Sequence, residues 1–344
     1  MTVPSLPRRI LVTRMKFIGD VVLTTPVIHS LRTAVPDAYI AYMGDAAAVT
    51  LLEQNPHLNE IIPFDFSQPT LREQPRVAWL LRRRKFDTVI DLFGNPRSAL
   101  LTRLSGAPVR VGLDRPGRGR FYTVRVQDAP RRKTAVEFHE QFLRAVGIEP
   151  THHTPEVYLS DEERQAGRDL LGGSGRVVVL HPGATWPAKR WTPEGFAGVA
   201  KVMRSSHPDI EVVLTGGPKD GAVVEQVVAL AGMKLRTFIG PPLRQLAALY
   251  AASAAVVSND AGSMHIAAAV GAPTIGLFGP GEEDIWFPYD PALGHKALRK
   301  DLPCHPCHLD VCTREGAGFM ECMHLLTVDE VFGAVEAALN RSMR

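Results

Sequence analysis

Two patterns of apolar residues alternate along this chain. Short runs of valine, isoleucine and leucine are separated by longer stretches in which apolar positions return at helical spacing. The runs predict strands over residues 10–13, 39–43, 60–63, 88–91 and 109–112 in the first half, and over 177–180, 211–215, 237–239, 255–258 and 274–278 in the second. Such an alternation of strand and helix predicts parallel sheets covered by helices, and it occurs twice, so the fold class is α/β with two similar units. Between them, residues 147–176 hold breakers: Gly147, Pro150, Pro155, Gly172, Gly173 and Gly175, with His152 and His153 among them. The last pattern, over 327–340, puts Val328, Val331, Phe332, Val335, Ala338 and Leu339 at helical spacing and predicts a closing amphipathic helix.

Composition supports two folded domains. The 344 residues are 45% hydrophobic and 22% charged, with mean hydropathy −0.02, which is globular rather than disordered. Arg14 and Lys16 interrupt the apolar patch that follows Arg8 and Arg9, so no signal-peptide core forms. No apolar run approaches the roughly 18–20 residues of a membrane-spanning helix, and a cytoplasmic location is expected. The four cysteines fall between Cys304 and Cys322, an arrangement suited to a reducing compartment. Net charge is only +3, yet residues 1–160 hold 22 Lys/Arg against 15 Asp/Glu, and residues 161–344 hold 17 against 21. Most of the excess lies in residues 72–133, with 16 basic and 5 acidic side chains, including the clusters 82–85, 115–120 and 131–133. A polyanion such as nucleic acid, an anionic membrane or a phosphorylated glycolipid would suit this face; a solvated basic surface explains it equally well.

In open α/β sheets ligands bind beyond the carboxyl ends of the strands, so the loops there are searched first. After the first strand come Arg14, Lys16, Gly19 and Asp20. A single glycine is not a dinucleotide fingerprint, and what remains is a carboxylate at a helix start with two cations upstream. Asp20 is either a helix cap or a reactive group. After the run at 177–180, His181-Pro182-Gly183-Ala184-Thr185-Trp186-Pro187-Ala188-Lys189-Arg190-Trp191 brings paired cations to a loop tip, with Thr192 and Pro193 opening the next helix. Residues 214–220 (LTGGPKD) offer Gly216 for close backbone approach and Asp220 for a ribose diol, though a simple turn explains them as well. Residues 259–265 (NDAGSMH) end a strand and open a short helix with Asp260, Ala261, Gly262, Ser263 and His265, and small residues there leave free N–H groups as an anion site.

Taken together, FIGDVVLTTPVIHSL, HPGATWPAKRW, LTGGPKD and NDAGSMHIAAAVGAPTIGLFGP resemble, in order and over nearly the whole chain, the family 9 glycosyltransferases, the ADP-heptose:lipopolysaccharide heptosyltransferases. The opening segment resembles the heptosyltransferase III branch. The resemblance implies the GT-B architecture, two Rossmann-like domains facing across a cleft: an acceptor domain at 1–160, joined by the closing helix 327–344, and a nucleotide-sugar donor domain at 161–326. It implies Asp20 as general base, Lys189 as a donor-phosphate contact and Asp260, Gly262, Ser263 and His265 as a donor loop, with ADP-heptose as donor and a phosphorylated lipid A-core acceptor at the inner leaflet. Ala261 stands where some members have Thr, so a hydroxyl contact to pyrophosphate is missing or supplied by Ser263.

Inverting transfer needs a base at the acceptor and charge stabilisation for the leaving diphosphate. Asp20 fits the first need, with Arg14, Lys16 and Gly19 on the acceptor side. Lys189, Arg190 and the helix start at Gly262 and Ser263 fit the second, with Thr185, Gly216, Asp260, Ala261 and His265 as further donor-binding residues and Asp220, or else Glu225, for the ribose. His29, His139 and His265 are the reserve bases. This scheme needs no catalytic metal or cofactor. Cys304, Cys307, Cys312 and Cys322, near His305, His308 and His324, have ligand types that suit structural zinc, with buried thiols or a redox pair as the alternatives. Competing functions are transfer of another activated sugar, a nucleotide-sugar epimerase of the same architecture, and a noncatalytic polyanion-binding module. The last lacks any nucleic-acid-reading motif, and no nucleic-acid partner is expected.

Overall fold

The computed structural model describes residues 7–127, 133–173 and 176–341; Gly175, Arg131 and Arg132 lie outside them. The chain forms two units, Met1–Tyr158 and Leu159–Arg344, divided within the 147–176 connection.

The first unit is built on β1 (Arg9–Thr13), β2 (Tyr39–Asp45), β3 (Glu60–Phe64), β4 (Thr88–Asp91), β5 (Val109–Leu113) and β6 (Val124–Val126). They form one sheet in the order β3-β2-β1-β4-β5-β6, with every neighbouring pair parallel. The central strand shows why its apolar run is unbroken. Ile10 and Val12 enter one core with Val27, Ile28, Leu31 and Phe142, while Leu11 enters another with Met43, Val77, Leu81 and Leu101. Successive side chains point to opposite faces, and helices cover both.

The second unit repeats the plan with β7 (Arg176–His181), β8 (Ile210–Gly216), β9 (Arg236–Ile239), β10 (Ala255–Asn259), β11 (Thr274–Leu277) and β12 (Lys296–Leu298), in the order β12-β11-β10-β7-β8-β9. Each sheet has one strand more than its apolar runs predict. The additions, β6 and β12, are three-residue edge strands carrying Arg125 and Lys296, too short and too polar to stand out as runs. Helices begin where the sequence offers caps: Asn95 with Ser98, Thr134 with Glu137 and Ser160 with Glu163 make reciprocal capping pairs.

The closing helix, Val328–Arg341, packs into the second unit. Val331, Ala334, Val335, Ala338 and Leu339 pack into the core of the second sheet with Val178, Leu180, Phe196 and Met203. Gly198 makes room for it, since a Cβ there would stand 2.5 Å from Val328.

In both sheets strand order reverses between the first strand and the fourth, opening a crevice at the carboxyl ends of β1 and β4, and of β7 and β10. The motif loops 14–20, 181–190 and 260–263 leave the sheets at these crevices.

One close packing contact can be tested. Helix Asp161–Leu170 meets helix Leu243–Ala251 at Gly167, where a Cβ would fall 2.2 Å from the Ala248 carbonyl oxygen. Helix propensity alone favours alanine over glycine by about 1 kcal/mol. Overpacking against backbone outweighs this, so Gly167→Ala is expected to destabilise the protein by about 1–3 kcal/mol in urea unfolding. A stabilised variant would contradict the contact.

Candidate active site

The crevice of the first unit is organised around Arg14. Its backbone N–H donates to the Met43 carbonyl at 3.1 Å. Its guanidinium donates to Leu92 O at 3.2 Å, lies 4.8 Å from the centre of the Phe93 ring and donates to Asp20 Oδ1. Arg14 thus joins the loop after β1 to the loop after β4. Asp20 is the third residue of helix Ile18–Leu23, inside its first turn rather than at the cap position. Its Oδ2 accepts from the Phe17 N–H at 2.9 Å, so it does close the helix start from within. Both side chains of the pair are mostly buried, 14% and 12% exposed. Gly19 is buried beside them, and Lys16 points to the Phe66 ring, 4.1 Å from its centre.

Two further groups shape this crevice. Asp91, which ends β4, is fully buried, accepting from Tyr122 OH (2.7 Å), Ser98 Oγ (2.8 Å) and the N–H groups of Gly94 (3.0 Å) and Phe93 (3.1 Å). Burial raises its pKa against these donors. Motif reading passed over it; the one available signal was a carboxylate closing an apolar run. His139 is buried on helix Ala135–Arg144, and burial, with the Arg14 charge adding to it, pushes the imidazole down to about 3. It is a poor base at neutral pH. His29 is engaged with Glu156, 2.9 Å away.

The second crevice gathers most of the expected donor residues. Lys189 ends a short turn, Pro187–Lys189, and its Nζ lies 2.7 Å from Asp260 Oδ2, with Trp186 below it at 4.7 Å. Asp260 is 5% exposed; burial raises its pKa and the Lys189 ammonium opposes that rise. Gly281 presses against this carboxylate, leaving 2.5 Å for any Cβ. Asn259 fixes the loops relative to each other: its Oδ1 accepts from Trp191 N at 3.0 Å and its Nδ2 donates to Pro182 O at 2.9 Å. Arg190 donates from Nε to Ala184 O at 2.8 Å and so braces the loop.

Helix Gly262–Ala269 starts beside the Lys189 pair. Ala261 at its cap position supplies no side-chain hydrogen bond, which leaves first-turn N–H groups uncapped. Ser263 directs its hydroxyl to Ser258 Oγ at 2.9 Å. His265 is buried and bonded through Nδ1 to Tyr289 OH at 2.8 Å; burial, then the Lys189 charge, push it down to about 3. It enters the site as a neutral ring.

Asp220 stands at the N-cap position of helix Gly221–Ala231 without bonding its N–H groups, takes the Gly217 N–H at 2.8 Å, and stands where a Cβ on Gly183 would come within 2.0 Å, so it joins the loops after β7 and β8 beside buried Gly216. Glu225 lies exposed further along that helix, and Thr185 is exposed at the loop tip. His181, unassigned in the sequence, is buried against Thr215 (2.9 Å) and Tyr250 (3.0 Å), and burial pushes it down to about 4. All four cysteines are free thiols lining one cavity of about 100 Å³ with Arg314 and Met320.

Two Rossmann-like units with anion-ready loops at their switch points give a GT-B-like fold. Comparison narrows the class. The model for "Glycosyltransferase family 9 (heptosyltransferase)" matches residues 76–317, and the chain belongs to that family. It is 30% identical over 307 residues to lipopolysaccharide heptosyltransferase 2 of Escherichia coli K12, covering 84% of this chain and 86% of that protein. Lipopolysaccharide heptosyltransferase 3 of Escherichia coli is 29% identical over 306 residues, with 80% and 84% covered. The structure of Escherichia coli ADP-heptose lps heptosyltransferase II superimposes with a TM-score of 0.76 at 25% identity, covering 98% of this chain and 100% of that one. Near-equal identity to types 2 and 3 singles out neither branch.

Buried neutral histidines predict a pH response. The unfolded chain protonates histidine near 6.5, whereas His139 and His265 are held to about 3, and His181 and His295 to about 4. Between these values the unfolded state binds more protons, so stability falls as pH drops from 6.5 towards 4. Melting temperature should decline over that interval in a pH series; a flat profile would contradict the burial of these rings.

Proposed function

We propose that this chain is an inverting, metal-independent glycosyltransferase that moves heptose from ADP-heptose to the phosphorylated inner core of lipopolysaccharide. The observation that carries the reading is the pair of half-buried Lys189 and buried Asp260 beside the uncapped start of helix Gly262–Ala269. A cation held in place and backbone N–H groups converge there as a diphosphate requires. Asp260 orients the ammonium, Asp220 at the neighbouring loop meets the ribose, and His265 packs the helix start as a neutral ring.

On the acceptor side Asp20 takes the hydroxyl proton. Its two oxygens are used by Arg14 and Phe17 N–H, and each keeps a further lone pair for the acceptor. The acceptor oxygen attacks the anomeric carbon, its proton passes to Asp20, and the carbon–oxygen bond to the diphosphate breaks with its electron pair leaving on ADP. Lys189 and the helix start stabilise that charge. Type of heptosyltransferase and linkage position follow from acceptor contacts, and transfer of a different activated sugar is the second reading. Family membership disfavours the epimerase.

The basic first unit fits a lipid-anchored acceptor better than nucleic acid. Several of its cations are used internally: Arg84 pairs with Glu60, Arg76 with Glu73, and Arg110 with backbone carbonyls. Helix Thr70–Arg84 combines Arg72, Arg82 and Arg83 with Leu71 and Trp79, which are 92% and 60% exposed. An apolar tip among cations suits the surface of an anionic bilayer. No helix among the described residues is long and apolar enough to cross a membrane. Peripheral association at the inner membrane is the location this reading implies.

Two variants test the halves separately. With ADP in chelator, titration calorimetry should show Lys189→Ala binding at least about tenfold more weakly, as loss of a charge-assisted phosphate contact requires; unchanged affinity removes Lys189 from the site. Asp20→Asn keeps an acceptor for Phe17 N–H but lacks proton affinity. Its turnover with saturating ADP-heptose and a heptose-deficient acceptor should fall by roughly 10²- to 10⁴-fold with ADP binding intact. Near-normal turnover would leave Asp20 a helix cap.

A further inference from the structure

Three histidines and a glutamate meet in the first unit, from segments well separated in sequence. His29 lies on helix Thr25–Ala34, His57 in the loop before β3, and His152 and Glu156 in the segment that ends the unit. His29 Nδ1 is 2.9 Å from Glu156 Oε1, and His57 Nε2 is 3.7 Å from the same oxygen. The three ligand atoms of His29, His57 and Glu156 all lie within 4.8 Å of one another, and among the described residues no other group of histidine, cysteine or acid does this. The rings of His57 and His152 each stack on His29 with centroids 4.0 Å apart. His152 Nε2 is 3.4 Å from the other carboxylate oxygen, buried and without a hydrogen-bond partner.

We propose that His29, His57 and Glu156, with His152 against the second carboxylate oxygen, form a binding site for a divalent transition-metal ion of the nickel, zinc or copper kind. Ligands held 2.0–2.1 Å from a tetrahedral ion sit about 3.3 Å apart, and the separations here bracket that value. Imidazole nitrogen with one carboxylate is a donor set for borderline ions rather than for calcium or magnesium. Of these nitrogens His29 Nδ1 has Glu156 and His57 Nε2 has Tyr158 OH, while His152 Nε2 is left without a partner. Tyr158, whose OH lies 3.1 Å from His57 Nε2, also hydrogen-bonds Glu156 and would keep that partner with the ion in place.

The ion would staple the segment 151–156 to helix Thr25–Ala34. Backbone contacts already bring the two together: Thr151 N and His152 N donate to Ser30 Oγ at 3.2 and 3.1 Å, and Glu156 N donates to Thr25 Oγ1 at 2.9 Å. Because the site joins parts of the chain that are apart when unfolded, binding stabilises the fold. The inference does not depend on which sugar or acceptor the protein uses.

The test is titration of the full chain, stripped with chelator, with Ni²⁺ by calorimetry and thermal melting, for wild type, His29→Ala and Glu156→Gln. Wild type should show one saturable site and a melting temperature that rises with Ni²⁺. Each variant should bind at least about tenfold more weakly and lose the rise. Melting without metal shows that the variants are folded, and Glu156→Gln preserves size should His29→Ala fail to fold. With Co²⁺ the wild-type spectrum should show d–d bands without thiolate charge transfer. Equal affinity in all three proteins, absence of binding by wild type, or a thiolate band lost in Cys304→Ser would overturn the proposal, the last by placing the ion in the cysteine cavity.

Discussion

Adjacent parallel strands cannot be joined by a tight turn; each connection must cross over the sheet and return to the same end. A sheet that grows outward in both directions from its first strand therefore has one place where successive crossovers part to opposite sides. In this protein that place lies between β1 and β4, and again between β7 and β10. The chain is left there with loops whose backbone groups are not used by the sheet, next to helix starts whose N–H groups are unpaired. Asp20, Lys189 and Asp260 sit on such a loop or at such a start.

Each crevice holds a cation and a carboxylate in contact, Arg14 with Asp20 and Lys189 with Asp260. Removing such charges from water is costly, and their mutual attraction with nearby hydrogen bonds has to offset that cost. What the pairing provides is position. Arg14 is held by a carbonyl and an aromatic face as well as by Asp20, and Lys189 rests on Trp186 while Asp260 is boxed in by Gly281. Ligands arriving at these sites meet groups already oriented, so little ordering remains for binding to supply.

Charge and apolar pattern guided less well wherever a side chain had more than one use. The basic excess of the first half suggested a polyanion surface, yet Arg84, Arg76 and Arg110 hold the fold together. The closing helix carries an apolar stripe that packs on the sheet of the second unit. A helical stripe states that a face will be buried; it does not state against what.

Fold class, the doubling of the α/β unit and the four motif loops were legible in the sequence, because buried parallel strands must be apolar on both faces and because Gly, Pro and capping residues mark where strands stop and helices begin. Family membership followed from the same loops. The short edge strands β6 and β12 were not legible, since three residues with a charge carry too little periodicity. Nor were the partnerships: Asp260 with Lys189 across 71 positions, Asp91 with Tyr122 across 31, and His29 with Glu156 across 127. Local sequence encodes backbone preference and burial within a few residues. Which distant side chains share a carboxylate is decided only when strand order and register bring their loops to the same edge of the sheet.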